Sequence, residues 1–319
     1  MSEVPQRSRP QPDLLVVSRV VLDDLHRRDG RVDAGILGGS GFWAAFGAAL
    51  VLDEVAITCK VGEDFEPYRA QLASLGIRDD GLLVSGGRTS RTRVTYSGEV
   101  RSEEPIPDWD AHVALRTMPS EFTAGVRRPL SYYVFRGWHP GFWEAFTSER
   151  LAGSPVLWEI PGSVCFPSER ERIRMVLDSI DVLSINRDEA VSLCGDGSPD
   201  DLIAELHELG AATVALRLGS AGALVSRDGR IRAAAPPPGP EVVEVTGAGN
   251  AFSGAFIAEY ARAGGDLDEA LRSAMAAAAV AIGQIGPPED RPLARSSWRR
   301  YREQIGVTDF REGDDGRTA

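Results

Sequence analysis

The sequence predicts an α/β fold: a doubly wound, mostly parallel sheet flanked by helices, with a small β-lid. Short apolar runs alternate with amphipathic stretches, which is typical of parallel strands joined by helical crossovers. One region, about 82–113, departs from this pattern, with Thr- and Val-containing strands, polar turns and no helix. We expect a domain over residues 13–308 that carries this lid, a flexible N-terminus over 1–12 and a disordered tail over 309–319. An ordinary edge hairpin is the alternative interpretation of 82–113.

The predicted strands are nearly continuous apolar runs, as expected for strands that are covered on both faces. They are Leu14–Val17, Val55–Cys59, Tyr132–Phe135, Val156–Ile160, Val182–Asn186 and Thr213–Leu218. Helices are predicted over Ser40–Leu52, Glu66–Leu75 and Pro199–Leu209. Gly76 and Gly210 follow the last two, at the position where glycine commonly ends a helix.

Composition limits the classes of partner. The 319 residues carry a formal net charge of −12, which argues against non-specific binding to nucleic acid or an anionic membrane. An anionic substrate in a local pocket remains compatible with that charge. The three cysteines, Cys59, Cys165 and Cys194, have no metal-ligand spacing, and the N-terminus lacks the apolar core of a signal peptide. We therefore expect a cytoplasmic location.

The most informative segment is a glycine-rich turn that precedes an amphipathic helix, residues 244–252. The backbone N–H groups from Gly247 to Asn250 would be unpaired at the helix start, with the positive end of the helix dipole behind them. Such a turn is suited to binding a phosphate. The alternative is a plain turn in which Asn250 acts as the N-cap, and this segment alone does not separate the two interpretations.

This segment resembles the C-terminal signature of the pfkB/ribokinase family, Asp-Thr-x-Gly-Ala-Gly-Asp-x-Phe. Other pieces that resemble family motifs follow in the same order: Ser18–Asp23, Gly38–Gly41, Val61–Phe65, Asn186–Glu189 and Leu218–Gly222. The resemblance extends over roughly Leu14 to Gly286, and several matches in order are far more specific than one. It implies a ribokinase-like fold.

On the acceptor side, the resemblance implies that Asp23, Gly38 and Gly39 bind the hydroxyl groups of a sugar-like molecule. A carboxylate suits vicinal hydroxyls because it accepts two hydrogen bonds. Trp43 or Trp138 is expected to stack on this acceptor.

On the nucleotide side, the resemblance implies ATP and Mg²⁺ as cofactors. The cofactor-binding residues would be Asn186, Glu189, Gly219, Gly222, Thr246, Gly247 and Gly249, with Glu189 as the metal-binding residue. The catalytic set would be Gly247, Ala248, Gly249 and Asn250, in which the glycine turn stabilises the charge that develops during phosphoryl transfer.

The sequence departs from the family pattern at three of these positions. Asn250 replaces the catalytic aspartate, and an amide cannot accept the acceptor's proton. Glu244 replaces the first aspartate of the motif, which leaves a monovalent-cation site open. Trp43 occupies the position of a substrate-binding asparagine in sugar kinases such as ribokinase. A branch of the family known from fungi and plants also reads Gly-Ala-Gly-Asn, and it shares the pieces Trp158–Pro161 and Gln284–Pro287.

Two functions follow as expectations. The first is an ATP-dependent phosphotransferase that acts on a hydroxyl of a sugar, nucleoside or glycosylated small molecule, with slow or atypical turnover. The second is an inactive nucleotide- or metabolite-binding protein on a kinase fold. The kinase ranks first because the nucleotide and metal motifs are kept together, and Asn250→Asp is expected to fold normally.

The expected partner is a small-molecule acceptor, without nucleic acid or membrane, and a homodimer through the lid is one arrangement that we keep open. On the lid, Arg88, Arg91 and Arg93 could meet a phosphorylated acceptor, although a solvated basic strand face is the commoner explanation.

Overall fold

The computed structural model describes residues 10–27, 30–97, 100–107 and 109–310. Within these residues the chain forms a ten-stranded sheet and a separate four-stranded sheet, with helices packed on both faces of the larger one. The α/β fold with a mostly parallel sheet is therefore confirmed. No helix in the described residues is long and apolar enough to cross a membrane.

The elements alternate between strand and helix along most of the chain. The strands are β1 (Leu14–Val17), β2 (Val21–His26), β3 (Val32–Gly38), β4 (Val55–Val61), β5 (Ile77–Val84), β6 (Arg91–Ser97), β7 (Val100–Ile106), β8 (Tyr132–Val134), β9 (Val156–Glu159), β10 (Val182–Asn186), β11 (Thr213–Arg217), β12 (Ala223–Arg227), β13 (Arg230–Ala234) and β14 (Thr308–Asp309). The α-helices are α1 (Gly39–Val51), α2 (Arg69–Ser74), α3 (Trp109–Ala114), α4 (Pro140–Glu149), α5 (Arg170–Leu177), α6 (Arg187–Cys194), α7 (Pro199–Glu208), α8 (Ala248–Arg262), α9 (Leu267–Ile282) and α10 (Arg291–Gln304).

The large sheet has the order β14-β13-β12-β11-β10-β9-β8-β1-β4-β5. Pairing is parallel from β11 through β5, and antiparallel pairing joins β11, β12, β13 and β14 at one side. One hydrophobic cluster lies under α1, α8, α9 and α10, and a second lies under α4, α5, α6 and α7. Because both faces are covered, the six strands predicted from apolar runs all belong to this sheet.

The small sheet has the order β3-β2-β6-β7. It contains the expected lid strands β6 and β7, but half of it is β2 and β3, from a segment that was not predicted as strand. The expected lid bounds also need correction, because Leu82 belongs to β5 of the large sheet and α3 occupies the end of the segment. The β6–β7 hairpin ends at Ile106, before Pro107, which has no N–H group to extend the ladder.

Helices α1 and α8 pack against each other without intervening side chains. A Cβ atom added to Gly47 would lie 2.0 Å from the carbonyl oxygen of Ala251, and one added to Gly254 would lie 2.0 Å from the carbonyl oxygen of Ala44. Glycine is therefore required at both positions, and the two backbones are in direct contact.

At the C-terminal side, the predicted disordered tail began too early. Asp309 belongs to β14, and the N–H of Phe310 donates a hydrogen bond of 2.9 Å to the carbonyl oxygen of Ile231. Pairing with β13 orders these residues because it satisfies backbone groups at the sheet edge. The rest of the predicted tail, residues 311–319, and residues 1–9 of the predicted flexible N-terminus lie outside the described residues.

Candidate active site

The glycine-rich turn adopts a backbone conformation that only glycine takes readily. Gly247 is the N-cap of α8 with a φ of +80°, and α8 begins at Ala248. A Cβ atom on Gly247 would lie 2.2 Å from Cγ of Trp43, so the indole ring sits directly against the turn. Trp43 is 3% exposed and contacts Phe42 and Phe46 edge-on. The ring therefore supports the turn from the core, and the expectation that it stacks on an acceptor does not fit this placement.

The first turn of α8 presents two N–H groups with no hydrogen-bond partner among the described residues. Asn250 is the third residue of the helix, which corrects its interpretation as the N-cap. Among the described residues, no hydrogen bond engages the N–H of Gly249 or of Asn250. These groups and the helix dipole together can bind an anion.

Arg217, at the end of β11, lies on the other side of this turn. Its Nη1 atom would be 2.1 Å from a Cβ on Gly249, and it donates a hydrogen bond of 2.8 Å to Oε1 of Glu159. A second carboxylate, Glu189, lies 3.7 Å from Nη2. Burial opposes the charge of Arg217, but Glu159 and Glu189 outweigh that effect and raise the pKa of the guanidinium.

The side chain of Asn250 belongs to a buried polar network. Its Nδ2 atom donates to Oε1 of Glu159 at 3.0 Å and to the hydroxyl of Tyr133 at 3.3 Å. The Tyr133 hydroxyl donates to Oε2 of Glu159 at 2.8 Å, and burial, followed by the charge of Glu159, raises its pKa well above the usual value. Glu159 therefore receives hydrogen bonds from Tyr133, Arg217 and Asn250.

This network was not predicted as part of the site. The sequence did contain a signal, because Glu159 is a charged residue at the end of the otherwise apolar strand β9, and it lies in the piece Trp158–Pro161 shared with the Gly-Ala-Gly-Asn branch. The network also changes one expectation. A carboxylate at position 250 would face Glu159 directly, so Asn250→Asp should no longer be neutral for folding.

Asn186 and Glu189 cap the start of α6. The N–H of Glu189 donates to Oδ1 of Asn186, and the N–H of Asn186 donates to Oε2 of Glu189, both at 2.9 Å. Burial is the main influence on Glu189 and raises its pKa. Its Oε1 atom has no hydrogen bond to a described residue, which leaves one carboxylate oxygen for a ligand.

A magnesium ion fits this arrangement, since Mg²⁺ in kinases is usually held by one or two carboxylates, waters and substrate phosphates. No cluster of three or more His, Cys, Asp or Glu side chains suited to a metal occurs in the described part of the chain.

On the expected acceptor side, the structure brings Asp23, Gly38 and Gly39 together where the small sheet meets the large one. Asp23 is 7% exposed, and a Cβ on Gly38 would lie 2.3 Å from its Oδ2 atom. The hydroxyls of Ser18 and Ser40 are 2.9 Å apart next to them. Trp138 is half-buried and packs on the second hydrophobic cluster.

On the expected nucleotide side, Gly219 begins a short turn after β11 with a φ of +63°. A Cβ atom added to it would have no other atom within 4 Å, so the space beside it is open. Gly222 is tightly packed, because its Cβ would lie 2.1 Å from the carbonyl oxygen of Ala234. The N–H and hydroxyl of Thr246 donate to Oε1 of Glu244 at 2.9 and 2.5 Å. Glu244 therefore fixes the backbone just before the glycine turn.

A cavity of about 460 Å³ opens at the carboxyl ends of β1, β8 and β9. Its lining consists of Val17, Ser18, Arg19, Arg116, Thr117, Phe135, Arg136, Gly137, Pro161 and Ser163. Ligands of open α/β sheets bind at this edge, outside the carboxyl ends of the strands. The cavity adjoins the polar network, since Tyr133 and Glu159 precede two of its lining segments.

Residues 161–293 match the family model described as pfkB family carbohydrate kinase. This part of the chain therefore resembles the pfkB family of carbohydrate kinases. The matched range includes both the Asn186–Glu189 segment and the glycine turn. The chain is 28% identical over 268 residues to the cytidine kinase of Thermococcus kodakarensis, covering 82% of this chain and 92% of that protein. It is 29% identical over 222 residues to the 2-dehydro-3-deoxygluconokinase of Thermoproteus tenax, covering 65% of this chain and 62% of that protein.

Solved structures share the fold of this chain. The Arabidopsis thaliana ribokinase complexed with ribose and ATP superposes with a TM-score of 0.70 at 23% identity, covering 91% of this chain and 99% of that one. The nucleoside kinase of Methanocaldococcus jannaschii gives a TM-score of 0.69 at 15% identity, covering 91% and 99%. The family resemblance and the ribokinase-like fold are therefore confirmed.

Proposed function

We propose that this pfkB protein is an ATP-dependent phosphotransferase that acts on a hydroxyl group of a sugar, nucleoside or glycosylated small molecule. The observation that carries the proposal lies at the start of α8, where the N–H groups of Gly249 and Asn250 have no hydrogen-bond partner in the described part of the chain. Phosphoryl transfer depends mainly on positioning and on stabilising charge at the transferring group, which such donors supply. The names of its relatives, cytidine kinase and 2-dehydro-3-deoxygluconokinase, agree with this class of acceptor.

The remaining site residues would act as binding and positioning groups. Asp23, with Gly38 and Gly39 beside it, would bind acceptor hydroxyls through its buried carboxylate. Glu189 would hold the magnesium ion through Oε1, together with waters and the phosphates of ATP. When bound, the metal neutralises the charge of the phosphates.

Because Asn250 stands in place of a general base, we expect slow phosphate transfer. Its amide cannot accept a proton, and its Nδ2 atom is engaged by Glu159 and Tyr133. Loss of a general base typically slows a reaction by ~10²–10⁴-fold and leaves the remaining stabilisation intact.

The same observation favours a second candidate, a binding protein that retains the nucleotide site without transferring phosphate. In that case Asn250 would serve only to hold the buried network together.

The test is to incubate the purified protein with ATP, Mg²⁺ and a panel of sugars and nucleosides, detecting product by mass spectrometry and nucleotide binding by calorimetry. Asp23→Asn, prepared in parallel, should lose acceptor phosphorylation but keep ATP affinity, which excludes a contaminating kinase. Phosphate transfer to a panel member supports the first candidate. Binding of ATP without any transfer supports the second, and failure of both ATP and ADP to bind at millimolar concentration overturns both.

A further inference from the structure

The cavity at the ends of β1, β8 and β9 is strongly basic. Arg19, Arg116 and Arg136 are in its lining, and none of the other described lining residues is acidic. The protein as a whole is acidic, with a net charge of −12, so three arginines around one cavity are a local exception.

Arg136 is buried and forms no salt bridge with a carboxylate of the described residues. It is 8% exposed, its guanidinium lies 4.4 Å from the centre of the Phe142 ring, and Nη2 contacts Sδ of Met118 at 3.7 Å. Its Nε atom is buried and has no hydrogen-bond partner among the described residues. A buried cation in this state is costly unless an anion joins it.

The neighbouring charges add to this cost. Burial lowers the pKa of Arg136 to about 10, and the nearby charge of Arg116 contributes to that lowering, against an opposing effect of Glu121. Burial also lowers the pKa of Arg116 and of Arg19, although the charges of Glu103 and Asp23 oppose the effect on Arg19. In the described part of the chain, neither Arg116 nor Arg136 forms a salt bridge with a carboxylate.

The arginines of the small sheet and its flank, unlike Arg116 and Arg136, form salt bridges with carboxylates. Arg88 pairs with Asp64 at 3.6 Å, Arg91 pairs with Asp24 at 2.7 Å, and Arg93 pairs with Glu104 at 3.4 Å. The three lid arginines that the sequence suggested for an acidic acceptor are thus already neutralised, while the cavity arginines Arg116 and Arg136 are not.

We propose that the acceptor carries an anionic group, a phosphate monoester or a carboxylate, which binds to Arg19, Arg116 and Arg136 in this cavity. The proposal rests on the proposed kinase function and specifies its substrate class. Guanidinium groups match phosphate and carboxylate oxygens with paired hydrogen bonds, and a cavity of about 460 Å³ has room for a sugar-sized molecule with such a group.

The position of the cavity assigns the anion to the acceptor. The hydroxyl of the lining residue Ser18 is hydrogen-bonded to that of Ser40, the residue after Gly39, so the cavity lies next to the expected hydroxyl-binding residues. The expected nucleotide turn at Gly219 follows β11, which is separated from β9 by β10 in the sheet. A nucleotide base beside Gly219 and an anion in the cavity would therefore occupy different places.

The experiment compares matched neutral and anionic probes in the absence of ATP. Dissociation constants are measured by calorimetry for fructose against fructose 6-phosphate, and for glucose against gluconate, so that the two pairs distinguish phosphate from carboxylate. We expect the anionic member of at least one pair to bind at least ~10-fold more tightly, about 1.4 kcal/mol. Arg136→Met should abolish this preference, and the less buried Arg116→Met should weaken it if Arg136→Met does not fold.

The matched control is Arg88→Met, which removes an exposed arginine from the small-sheet side and should keep the preference. Equal affinity for the neutral and anionic members of both pairs overturns the inference, as does a preference that survives both cavity variants. Displacement of the anionic probe by excess ATP with Mg²⁺ also overturns it, because the arginines would then serve the nucleotide. If the protein transfers phosphate to a neutral acceptor and binds the neutral and anionic probes of both pairs equally well, this inference fails but the proposed kinase function stands.

Discussion

Replacing Asn250 with aspartate tests the buried network directly. In the native protein, Nδ2 of Asn250 donates to Oε1 of Glu159 at 3.0 Å, and Glu159 is 3% exposed. Asn250→Asp substitutes a carboxylate oxygen for that donor. The two carboxylates would then face each other with Arg217 as their shared cation.

The cost can be bounded from this geometry. Two unit charges at 3.0 Å in a medium of effective dielectric ~20 repel by about 5.5 kcal/mol, which Arg217 offsets in part. Protonation limits the penalty, because holding a proton at pH 7 on a carboxyl of ordinary pKa ~3.9 costs about 4 kcal/mol. We expect Asn250→Asp to lower the free energy of unfolding by about 2–4 kcal/mol at pH 7.

The loss should depend on pH with a defined sign. The folded-state pKa of the carboxylate pair is raised above its unfolded value, so the penalty is absent below the unfolded pKa. It grows by about 1.4 kcal/mol per pH unit as pH rises, until the folded pair ionises. Urea unfolding between pH 5.5 and 8.5 measures this slope.

Two further variants serve as controls. Asn250→Ala removes the hydrogen bond without adding charge, so its loss should not change with pH. Glu159→Gln combined with Asn250→Asp should recover much of the stability in a double-mutant cycle. Wild-type stability of Asn250→Asp at pH 8, or a loss independent of pH, would refute the contact between Asn250 and Glu159.

Three other predictions follow from the site. The double variant Asn250→Asp with Glu159→Gln should raise the rate of phosphate transfer by ~10-fold or more, whereas Asn250→Asp alone should not. Only in the double variant is the new carboxylate ionised and able to act as a base. Equal rates for the double variant and the wild type in a coupled ADP assay would argue against this. Gly247→Ala should lower the free energy of unfolding by at least about 1–3 kcal/mol and weaken ATP binding, because the added methyl group meets Trp43. Gly264→Ala, which is also at positive φ but in open space, should lower the free energy of unfolding less and keep the ATP affinity measured by calorimetry. Glu189→Gln should keep the α6 cap but raise the Mg²⁺ concentration needed for half-maximal ATP affinity, and an unchanged Mg²⁺ titration would remove Glu189 from the metal site.

The sequence predicted the parts of the fold that local patterns determine. Apolar runs identified the central strands, and the glycine motif predicted the turn before α8. Strands β2 and β3 were missed because β2 contains two adjacent acidic residues and pairs with β6, where Leu22 lies opposite Arg91. Pairing between residues so far apart leaves no periodic signal in either segment.

The candidate site likewise contains features that the local sequence predicts and contacts that it does not. Backbone features such as the left-handed conformation of Gly247 follow from the motif itself. The contacts of Asn250 with Tyr133 and Glu159, and the three cavity arginines, come from segments far apart in the sequence and meet only in the folded chain. Net charge alone does not separate the lid arginines, which form salt bridges with carboxylates, from Arg116 and Arg136, which form none in the described part of the chain.

The glycine contacts between α1 and α8 fix the relative position of the N-termini of these two helices. The N-terminus of α1 carries Gly39, and that of α8 carries the glycine turn, so the two backbones in contact at Gly47 and Gly254 act as a single rigid body. In the proposed kinase function, this contact would hold the spacing between acceptor hydroxyl and transferred phosphate constant. We therefore expect proteins of this fold that accept larger or smaller molecules to differ in the walls opposite this helix pair, at the positions of Arg116 and Arg136 and in the small sheet.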